Sequence, residues 1–222
     1  MKIAGFAKTS FVDYPGKIAC VVFTPHCNMK CGYCHNKHII SGDVPLMDKA
    51  DIVDYMIKRK DMLGALVITG GEPTLQTGLT EFIKKVKQLG LCVKLDTNGS
   101  NPGILQDLLA KNLLDYVAMD VKAPLEKYSQ VAGCPIDINA ITASIETLKK
   151  CSVPYEFRTT FAPALTTEDI LEIGDLVQGT KNYCLQQYRQ VPGEPPPHTR
   201  EYVKKTAEKI KAAIGVCELK GT

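Results

Sequence analysis

The sequence predicts an α/β protein built around a parallel sheet. Two observations predict this class. Short apolar runs alternate along the chain with segments of helical periodicity, and most of the runs end at glycine, aspartate or threonine. Strict alternation of this kind is typical of strand–helix units whose strands pair side by side in parallel. The alternation alone allows a doubly wound sheet and an incomplete barrel equally.

The first half of the chain begins with an approach segment, residues 1–17, which ends in the turn sequence Asp-Tyr-Pro-Gly. The apolar run 18–24 is the first predicted strand, and a polar loop follows it. Asp48 is a typical helix N-cap, and the apolar residues behind it recur at helical spacing. The next predicted elements are a strand at 65–69, a helix at 79–89 and a strand at 92–96.

The second half repeats the alternation. Predicted helices are 103–111, 140–150, 167–177 and 198–214, and predicted strands are 116–120, 155–160 and 183–187. Residues 191–197 hold four prolines and a glycine, which predicts a loop that covers the site. Residues 215–222 form a tail that either adds a short strand or is mobile. Because no linker interrupts the pattern, we expect 1–222 to be one domain with 18–214 as its core.

The composition excludes several classes of function. Lysine and arginine number 27 against 24 aspartates and glutamates, a net charge of +3 that is too balanced to indicate a nucleic-acid or membrane partner. No apolar stretch approaches the ~20 residues of a membrane-spanning helix, and the amino terminus does not resemble a signal peptide. Nine cysteines, an odd number, favour a reducing compartment over a disulfide framework. We therefore expect a cytoplasmic protein.

Three of the cysteines lie within eight residues, in the loop after the first predicted strand, at Cys27, Cys31 and Cys34. This spacing allows three thiolates to converge on one inorganic centre, either an iron–sulfur cluster or zinc. A [4Fe–4S] cluster held by three thiolates keeps one iron open for another ligand. A structural zinc ion needs a fourth ligand, which His26, His35 or His38 could supply. We interpret the other cysteines as structural: Cys20, Cys92, Cys134, Cys151, Cys184 and Cys217.

The spacing CxxxCxxC, with an aromatic residue before the last cysteine, resembles the cluster motif of the radical S-adenosylmethionine (SAM) superfamily. Residues 8–17 and the sequence Cys-His-Asn at 34–36 resemble the activating enzymes of glycyl-radical enzymes. The resemblance is greatest to the anaerobic ribonucleoside-triphosphate reductase activating protein family, and pyruvate formate-lyase activating enzyme is a relative. It is densest over 8–36 and faint after about 160. It implies a partial (β/α)6 barrel with parallel strands.

The resemblance also implies a reaction. One [4Fe–4S] cluster on Cys27, Cys31 and Cys34 would cleave SAM reductively to a 5′-deoxyadenosyl radical, with flavodoxin or ferredoxin as electron donor. The radical would then abstract a hydrogen from the Cα of a glycine in a partner glycyl-radical enzyme, here anaerobic ribonucleoside-triphosphate reductase. Such chemistry needs no protein general base, so no catalytic side chain is expected beyond the cofactor ligands. No cysteine lies between Cys34 and Gly70, so a single cluster is expected.

A glycine-rich motif follows the second predicted strand. Glycines let the backbone approach a ligand closely, and a glutamate can accept a hydrogen bond from an ammonium group. By resemblance, this motif would hold the amino group of SAM through Gly70, Gly71, Glu72 and Pro73. An ordinary strand-to-helix turn is the alternative interpretation.

The next two strands end in Asp96-Thr97 and Asp120-Val121-Lys122. Carboxylate and hydroxyl oxygens are hard ligands for cations. The resemblance implies that Asp96, Thr97 and Asp120 bind a monovalent cation beside SAM, that Thr97 also contacts SAM, and that Lys122 neutralises its carboxylate. A helix cap at Asp96 and an Asp120–Lys122 salt bridge are the alternatives.

Four further residues take roles from the resemblance. Tyr33 would lie near the adenine of SAM, with simple packing as the alternative. Arg158, a charge on an inward strand position that needs a partner, would contact the SAM carboxylate or the partner peptide. Gln187 stands where relatives usually carry a histidine, and would bind SAM in its place. Asp13 would hold the partner's glycine loop, although a turn aspartate that caps its own backbone is equally consistent.

Two rival functions remain open. The first is a radical SAM enzyme that acts on a small molecule, as 7-carboxy-7-deazaguanine synthase does. The second is a non-catalytic iron–sulfur or zinc-binding module, which would have no use for the glycine-rich and Asp/Lys strand ends.

Overall fold

The computed structural model describes residues 1–40 and 43–221. The strands are β1 (Gly5–Ser10), β2 (Ala19–Thr24), β3 (Ala65–Gly70), β4 (Cys92–Thr97), β5 (Tyr116–Asp120), β6 (Tyr155–Phe161), β7 (Tyr183–Gln187) and β8 (Glu218–Lys220). The α-helices are α1 (Lys37–Ile40), α2 (Lys49–Arg59), α3 (Leu79–Gln88), α4 (Pro102–Ala110), α5 (Tyr128–Ala132), α6 (Ile138–Lys150), α7 (Thr167–Leu176) and α8 (Arg200–Ile214). The predicted loop after β2 includes residues 41 and 42, and the predicted tail includes residue 222, which lie outside the described residues.

The eight strands form one sheet in which neighbours follow chain order. β2 to β8 pair in parallel, whereas β1 pairs antiparallel with β2. β1 and β8 are the two edges and do not pair with each other, so the sheet remains open, as in a partial barrel. The predicted parallel α/β class is therefore confirmed, and the carboxyl ends of β2 to β7 meet at one rim.

Both faces of the sheet are buried, as parallel strands require. On β3, Leu66 and Ile68 belong to the main core with helix residues such as Ile83. The alternating neighbours Ala65 and Val67 belong to a second cluster on the inner face. Helices cover the outer face, and the inner face is closed in part by the β1–β2 loop. This packing holds the strand ends on a rigid frame.

The sheet extends further than the sequence indicated on both sides. β1 lies within the approach segment, whose alternation is weak because its side chains are mostly half-buried or exposed. β8 lies in the tail, where a short strand was one of two expectations. The sequence pattern predicts no element at 128–132, where the structure has the helix α5. Among the described residues, no helix combines the length and apolarity needed to cross a membrane.

Candidate active site

A cavity of about 280 Å³ opens at the carboxyl ends of the parallel strands, and we call it the strand-end cavity. Its lining includes most of the residues predicted for cofactor binding: Cys27, Cys31, Tyr33, Cys34, Gly70, Gly71, Asp96, Thr97, Asp120, Lys122 and Arg158. The fold therefore brings together motifs that are up to 131 positions apart in the sequence (158 − 27). Four predicted residues do not line this cavity: Asp13, Glu72, Pro73 and Gln187.

The cysteine loop presents its three thiols to this cavity. Burial raises the pKa of Cys27 to about 11. Burial also raises the pKa of Cys31, although the positive charge of Lys122 acts in the opposite direction. Both thiols are therefore protonated at neutral pH and would release protons when they bind a metal centre. Among the described residues, no three Cys, His, Asp or Glu side chains already form a metal-binding group.

The donor set fits an iron–sulfur cluster better than a zinc ion. Three thiols share one cavity with the ammonium group of Lys122, and within residues 1–40 and 43–221 no fourth thiol lines it. Of the histidines that could complete a zinc site, His35 lines the cavity, whereas His26 and His38 are exposed and do not. Three sulfur ligands beside an open, polar space suit a cluster with one free iron.

The glycine-rich turn after β3 packs directly against the cysteine loop. A Cβ on Gly71 would lie 1.9 Å from the carbonyl oxygen of His26, and a Cβ on Gly70 would lie 2.4 Å from the nitrogen of Thr24. The Gly71 amide donates to Thr24 O at 2.8 Å, and the Glu72 amide donates to His26 O at 2.8 Å. The glycines thus allow two backbones to meet, which positions the cysteine loop over the sheet.

Substitution of Gly71 by alanine is expected to lower the free energy of unfolding by about 2 kcal/mol and to reduce iron uptake. The added methyl group would meet backbone rather than a flexible side chain, so the cysteine loop must shift. Denaturant unfolding and iron analysis measure the two effects. Gly103→Ala in α4 is the matched control, because nothing lies within 4 Å of its Cβ, and it should be neutral or stabilising.

Glu72 makes a set of hydrogen bonds within the fold that the sequence did not indicate. It is completely buried and does not line the cavity. One carboxylate oxygen accepts from the Thr74 amide and hydroxyl and from the Thr97 hydroxyl at 2.7 Å, and the other accepts from the Asn98 amide at 2.7 Å. Burial raises its pKa, and these hydrogen bonds act in the opposite direction. In the structure Glu72 joins the ends of β3 and β4, and its contact with the amino group of SAM stays a prediction.

Asn98 is a site residue that sequence reasoning missed. Its side chain lines the cavity, donates to Asn28 Oδ1 at 2.9 Å and contacts the sulfur of Cys27 at 3.8 Å. It therefore connects the end of β4 to the cysteine loop. The signal was its place next to Thr97 at a strand end, but the sequence does not show which loop it faces.

The carboxylates proposed as cation ligands are already paired. Arg158 lies between them: one of its terminal nitrogens is 3.2 Å from Asp96 Oδ2, and its Nε donates to Asp120 Oδ1 at 2.9 Å. Lys122 Nζ lies 3.6 Å from Asp120 Oδ2. Burial alone would raise the pKa of Asp120, but Arg158 and Lys122 hold it below its usual value. With Thr97 donating to a buried carboxylate, this arrangement disfavours a monovalent cation here.

Gln186, rather than Gln187, lines the strand-end cavity. Successive side chains on a strand face opposite sides, which places Gln186 on the inner face. Gln187 turns away and donates to the carbonyl of His198 at 3.0 Å. The predicted SAM contact of Gln187 stays a prediction, and Gln186 is the glutamine that lines the cavity.

Asp13 and Pro73 also lie outside the cavity. The Asp13 carboxylate accepts from the hydroxyl of Ser10, whose oxygen accepts in turn from the Asp13 amide at 3.2 Å, so Asp13 organises its own turn. Pro73 is buried at the start of a short 3-10 helix, Pro73–Leu75. These positions match the structural alternatives for both residues.

The Pro-rich loop at 191–197 lies against the cysteine loop. The Glu194 carboxylate lies close to Gly32: a Cβ added to Gly32 would be 2.7 Å from one carboxylate oxygen. The other carboxylate oxygen of Glu194 forms a salt bridge with Lys37 at 3.0 Å. Just before this loop, the buried Tyr188 packs edge-on against Tyr33 at 6.5 Å between ring centres. The loop thus packs against the cysteine loop, and none of its described residues lines the strand-end cavity.

A second, larger opening adjoins the cavity, with a volume of about 900 Å³, and we call it the interior groove. It shares three lining residues with the strand-end cavity: His35, Thr160 and Gln186. Phe11 and Val12 of the β1–β2 loop line it and are 75% and 87% exposed. The groove therefore connects the site to an exposed apolar loop.

Comparison with protein families and relatives indicates which family this chain belongs to. Residues 21–177 match the model of the radical SAM superfamily. A protein of Methanocaldococcus jannaschii, provisionally named a glycyl-radical enzyme activating enzyme, is 37% identical over 195 residues, which cover 84% of this chain and 79% of that protein. A 7-carboxy-7-deazaguanine synthase of Neisseria meningitidis is 34% identical over 97 residues, covering 44% of this chain and 40% of the synthase.

Solved structures share the fold at low identity. SuiB of Streptococcus suis bound to its precursor peptide SuiA has a TM-score of 0.71 at 15% identity, over 90% of this chain and 48% of SuiB. A domain of pyruvate-formate lyase-activating enzyme from Bacteroides vulgatus has a TM-score of 0.59 at 17% identity, over 71% of this chain and 99% of that domain. This chain spans about half the length of SuiB. The match to the family model covers most of the sheet and the cysteine loop, and the chain belongs to the radical SAM superfamily.

Proposed function

We propose that this protein activates a glycyl-radical enzyme by abstracting a hydrogen atom from the Cα of one glycine in that partner. The observation that carries the proposal is the strand-end cavity, which gathers the three motif cysteines with Lys122 and Arg158. The relative named as an activating enzyme, at 37% identity over most of both chains, supports the choice of substrate class. Anaerobic ribonucleoside-triphosphate reductase is the first partner to test, because residues 8–36 resemble its activating family.

The radical SAM family implies a [4Fe–4S] cluster and SAM. When bound, the cluster supplies one electron to SAM, which yields methionine and a 5′-deoxyadenosyl radical. In this chain Cys27, Cys31 and Cys34 would hold three irons, and flavodoxin or ferredoxin would supply the electron. The backbone contacts of Gly70 and Gly71 fix the loop that carries these ligands.

Two cations would orient the carboxylate of SAM. Burial alone would lower the pKa of Lys122, but the nearby carboxylate of Asp120 opposes burial and the pKa stays above its usual value, so the amine is charged. Its 3.6 Å separation from Asp120 leaves hydrogen-bond donors available to a ligand. Arg158 is held rigidly by Asp96 and Asp120, which presents its charge in a fixed direction.

The interior groove would admit the partner's glycine-bearing segment. It adjoins the strand-end cavity and is bordered by exposed apolar side chains of the β1–β2 loop. An extended peptide in this groove could reach the shared residues Thr160 and Gln186, beside the SAM site. Asp13 would then act through the shape of its turn rather than through direct contact with the peptide.

The experiment has two stages. Anaerobically reconstituted protein with SAM and dithionite should form 5′-deoxyadenosine, and a variant in which Cys27, Cys31 and Cys34 are all alanine should not. Purified anaerobic ribonucleoside-triphosphate reductase is then added, and electron paramagnetic resonance should detect a glycyl radical. The absence of both product and radical from protein with a complete cluster and bound SAM would contradict the activating role.

A radical SAM enzyme that acts on a small molecule is the second candidate. The 34% identity to a 7-carboxy-7-deazaguanine synthase favours it, although that match covers less than half of either protein. A provisionally named GTP 3′,8-cyclase of Pyrococcus abyssi is also 26% identical over 171 residues, covering 75% of this chain and 54% of that protein. SAM cleavage that is stimulated by a small molecule, with no glycyl radical on any partner, would favour this candidate.

A further inference from the structure

Lys94 is a buried cation that neither the sequence motifs nor the proposed mechanism use. It lies on β4, two positions before Asp96, and its side chain points to the inner face with only 3% of the residue exposed. A buried ammonium group is costly unless it is paired and hydrogen-bonded. Its partners therefore indicate why the fold retains it.

Groups on two other elements and on its own strand contact the Lys94 amine. It donates to the backbone carbonyl of Asp13, in the β1–β2 loop, at 2.7 Å. The amine also lies 3.0 Å from Asp96 Oδ1, but the angle does not suit a hydrogen bond. The attraction between Lys94 and Asp96 is therefore an ion pair without a hydrogen bond. The Lys94 amine also lies 3.9 Å from Glu156 on β6, whose other oxygen is paired with Lys220 at 3.3 Å.

The contacts continue into the candidate SAM site as a row of alternating charge. One terminal nitrogen of Arg158 lies 3.2 Å from Asp96 Oδ2, and the other lies 2.9 Å from Asp120 Oδ1. Asp120 in turn faces Lys122 at 3.6 Å. Lys94 thus belongs to the same row of charges as Arg158 and Lys122, the two cations that would bind the SAM carboxylate.

At its other end, Lys94 fixes the loop that borders the interior groove. The loop reaches the inner face through Tyr14, which is buried and packs 6.0 Å from the ring of Tyr116. The Lys94 amine lies 5.8 Å from the same Tyr116 ring. The adjacent residues Phe11 and Val12 remain exposed, so the anchored part of the loop is directly joined to its exposed tip.

We propose that Lys94 is a positioning residue that couples the β1–β2 loop to the SAM site. Displacement of the loop would withdraw Lys94 from Asp96, and Asp96 would then draw Arg158 away from Asp120. Loop order and SAM affinity would therefore depend on each other, and the dependence is reciprocal. The inference rests on the strand-end cavity being the SAM site of the proposed function.

The test compares two lysine variants of anaerobically reconstituted protein. Lys94→Met removes the charge and keeps an unbranched chain, whereas Lys220→Met removes the other cation that holds Glu156 and is the matched control. Equilibrium dialysis measures SAM affinity, and hydrogen exchange followed by mass spectrometry measures protection of residues 11–16. We expect Lys94→Met to weaken SAM binding about tenfold, equivalent to about 1.4 kcal/mol, and to speed exchange in 11–16. Lys220→Met should change neither.

A second measurement applies even if Lys94→Met does not fold. In the wild-type protein, SAM should slow exchange in residues 11–16, and Asp96→Asn should remove that response because it breaks the row of charges. Wild-type protein that binds SAM without any change in loop exchange would overturn the inference but leave the proposed function intact. Wild-type protein with a complete cluster that fails to bind SAM would instead overturn the proposed function.

Discussion

Replacement of Cys31 by alanine is expected to abolish cluster assembly and SAM cleavage together. Cys31 is buried and lines the strand-end cavity. The Cys34 amide donates to the Cys31 carbonyl oxygen at 3.1 Å, and this turn fixes the spacing of the two thiols. With one sulfur removed, the remaining two cannot hold a cluster that leaves only one iron open. Iron and sulfide analysis after anaerobic reconstitution, together with 5′-deoxyadenosine formation, measures the loss.

Cys134 offers the sharpest control for this experiment. Its sulfur lies 3.2 Å from the carbonyl oxygen of Asn28, so it touches the cysteine loop from outside the motif, but it does not line the cavity. Cys134→Ala should therefore keep the iron, the sulfide and the cleavage. If Cys134→Ala lost the cluster while Cys31→Ala kept it, the assignment of ligands to the motif would be wrong. Zinc in place of iron and sulfide in the wild-type protein would support a zinc module instead.

Much of the fold could be predicted from the sequence because its strands are dictated by local pattern. β5 and β7 have the predicted bounds, and β3, β4 and β6 differ by one residue, since short runs rich in apolar and β-branched residues lie between helical patterns and turn residues. β1 was not predicted because this edge strand has mostly exposed or half-buried side chains, so its sequence shows no clear alternation of apolar and polar residues. Its pairing with β2 is a tertiary contact that no local window contains.

For the candidate site, the sequence predicts which residues lie at the rim of the sheet, but not which partners their side chains contact. The end of a parallel strand places a residue at the rim, which is why Asp96, Thr97, Asp120 and Lys122 were found. Which way each side chain turns depends on partners far along the chain. The Arg158–Asp96 pair joins residues 62 positions apart, and no local pattern in the sequence indicates that this ion pair forms.

The contacts of Lys94 could not be predicted from the sequence either. In the sequence it is a lysine within an apolar strand, and only the three-dimensional arrangement brings the carbonyl of Asp13 to within 2.7 Å of it. The burial of such a charge was a signal that a partner must exist, but the partner is a backbone oxygen, which has no sequence signature.

Glu72→Gln is expected to destabilise the whole fold, not only SAM binding. The carboxylate accepts from four donors on Thr74, Thr97 and Asn98. An amide presents one oxygen and one NH2 group, so at least one buried donor would face another donor and lose its partner. We expect the free energy of unfolding to fall by about 3 kcal/mol, and the midpoint of thermal unfolding to fall by about 6–12 °C.

Circular dichroism of the protein without cofactors measures this loss, because the hydrogen bonds belong to the chain itself. Glu81→Gln on the exposed face of α3 is the matched control: its carboxylate is 71% exposed and pairs with Lys84, so the change should stay within about 0.5 kcal/mol. SAM affinity should also fall in Glu72→Gln, since Thr97 and Asn98 line the cavity and would lose their support. An unchanged unfolding midpoint with lost SAM binding would contradict the structural role, and would restore a direct contact between Glu72 and the amino group of SAM.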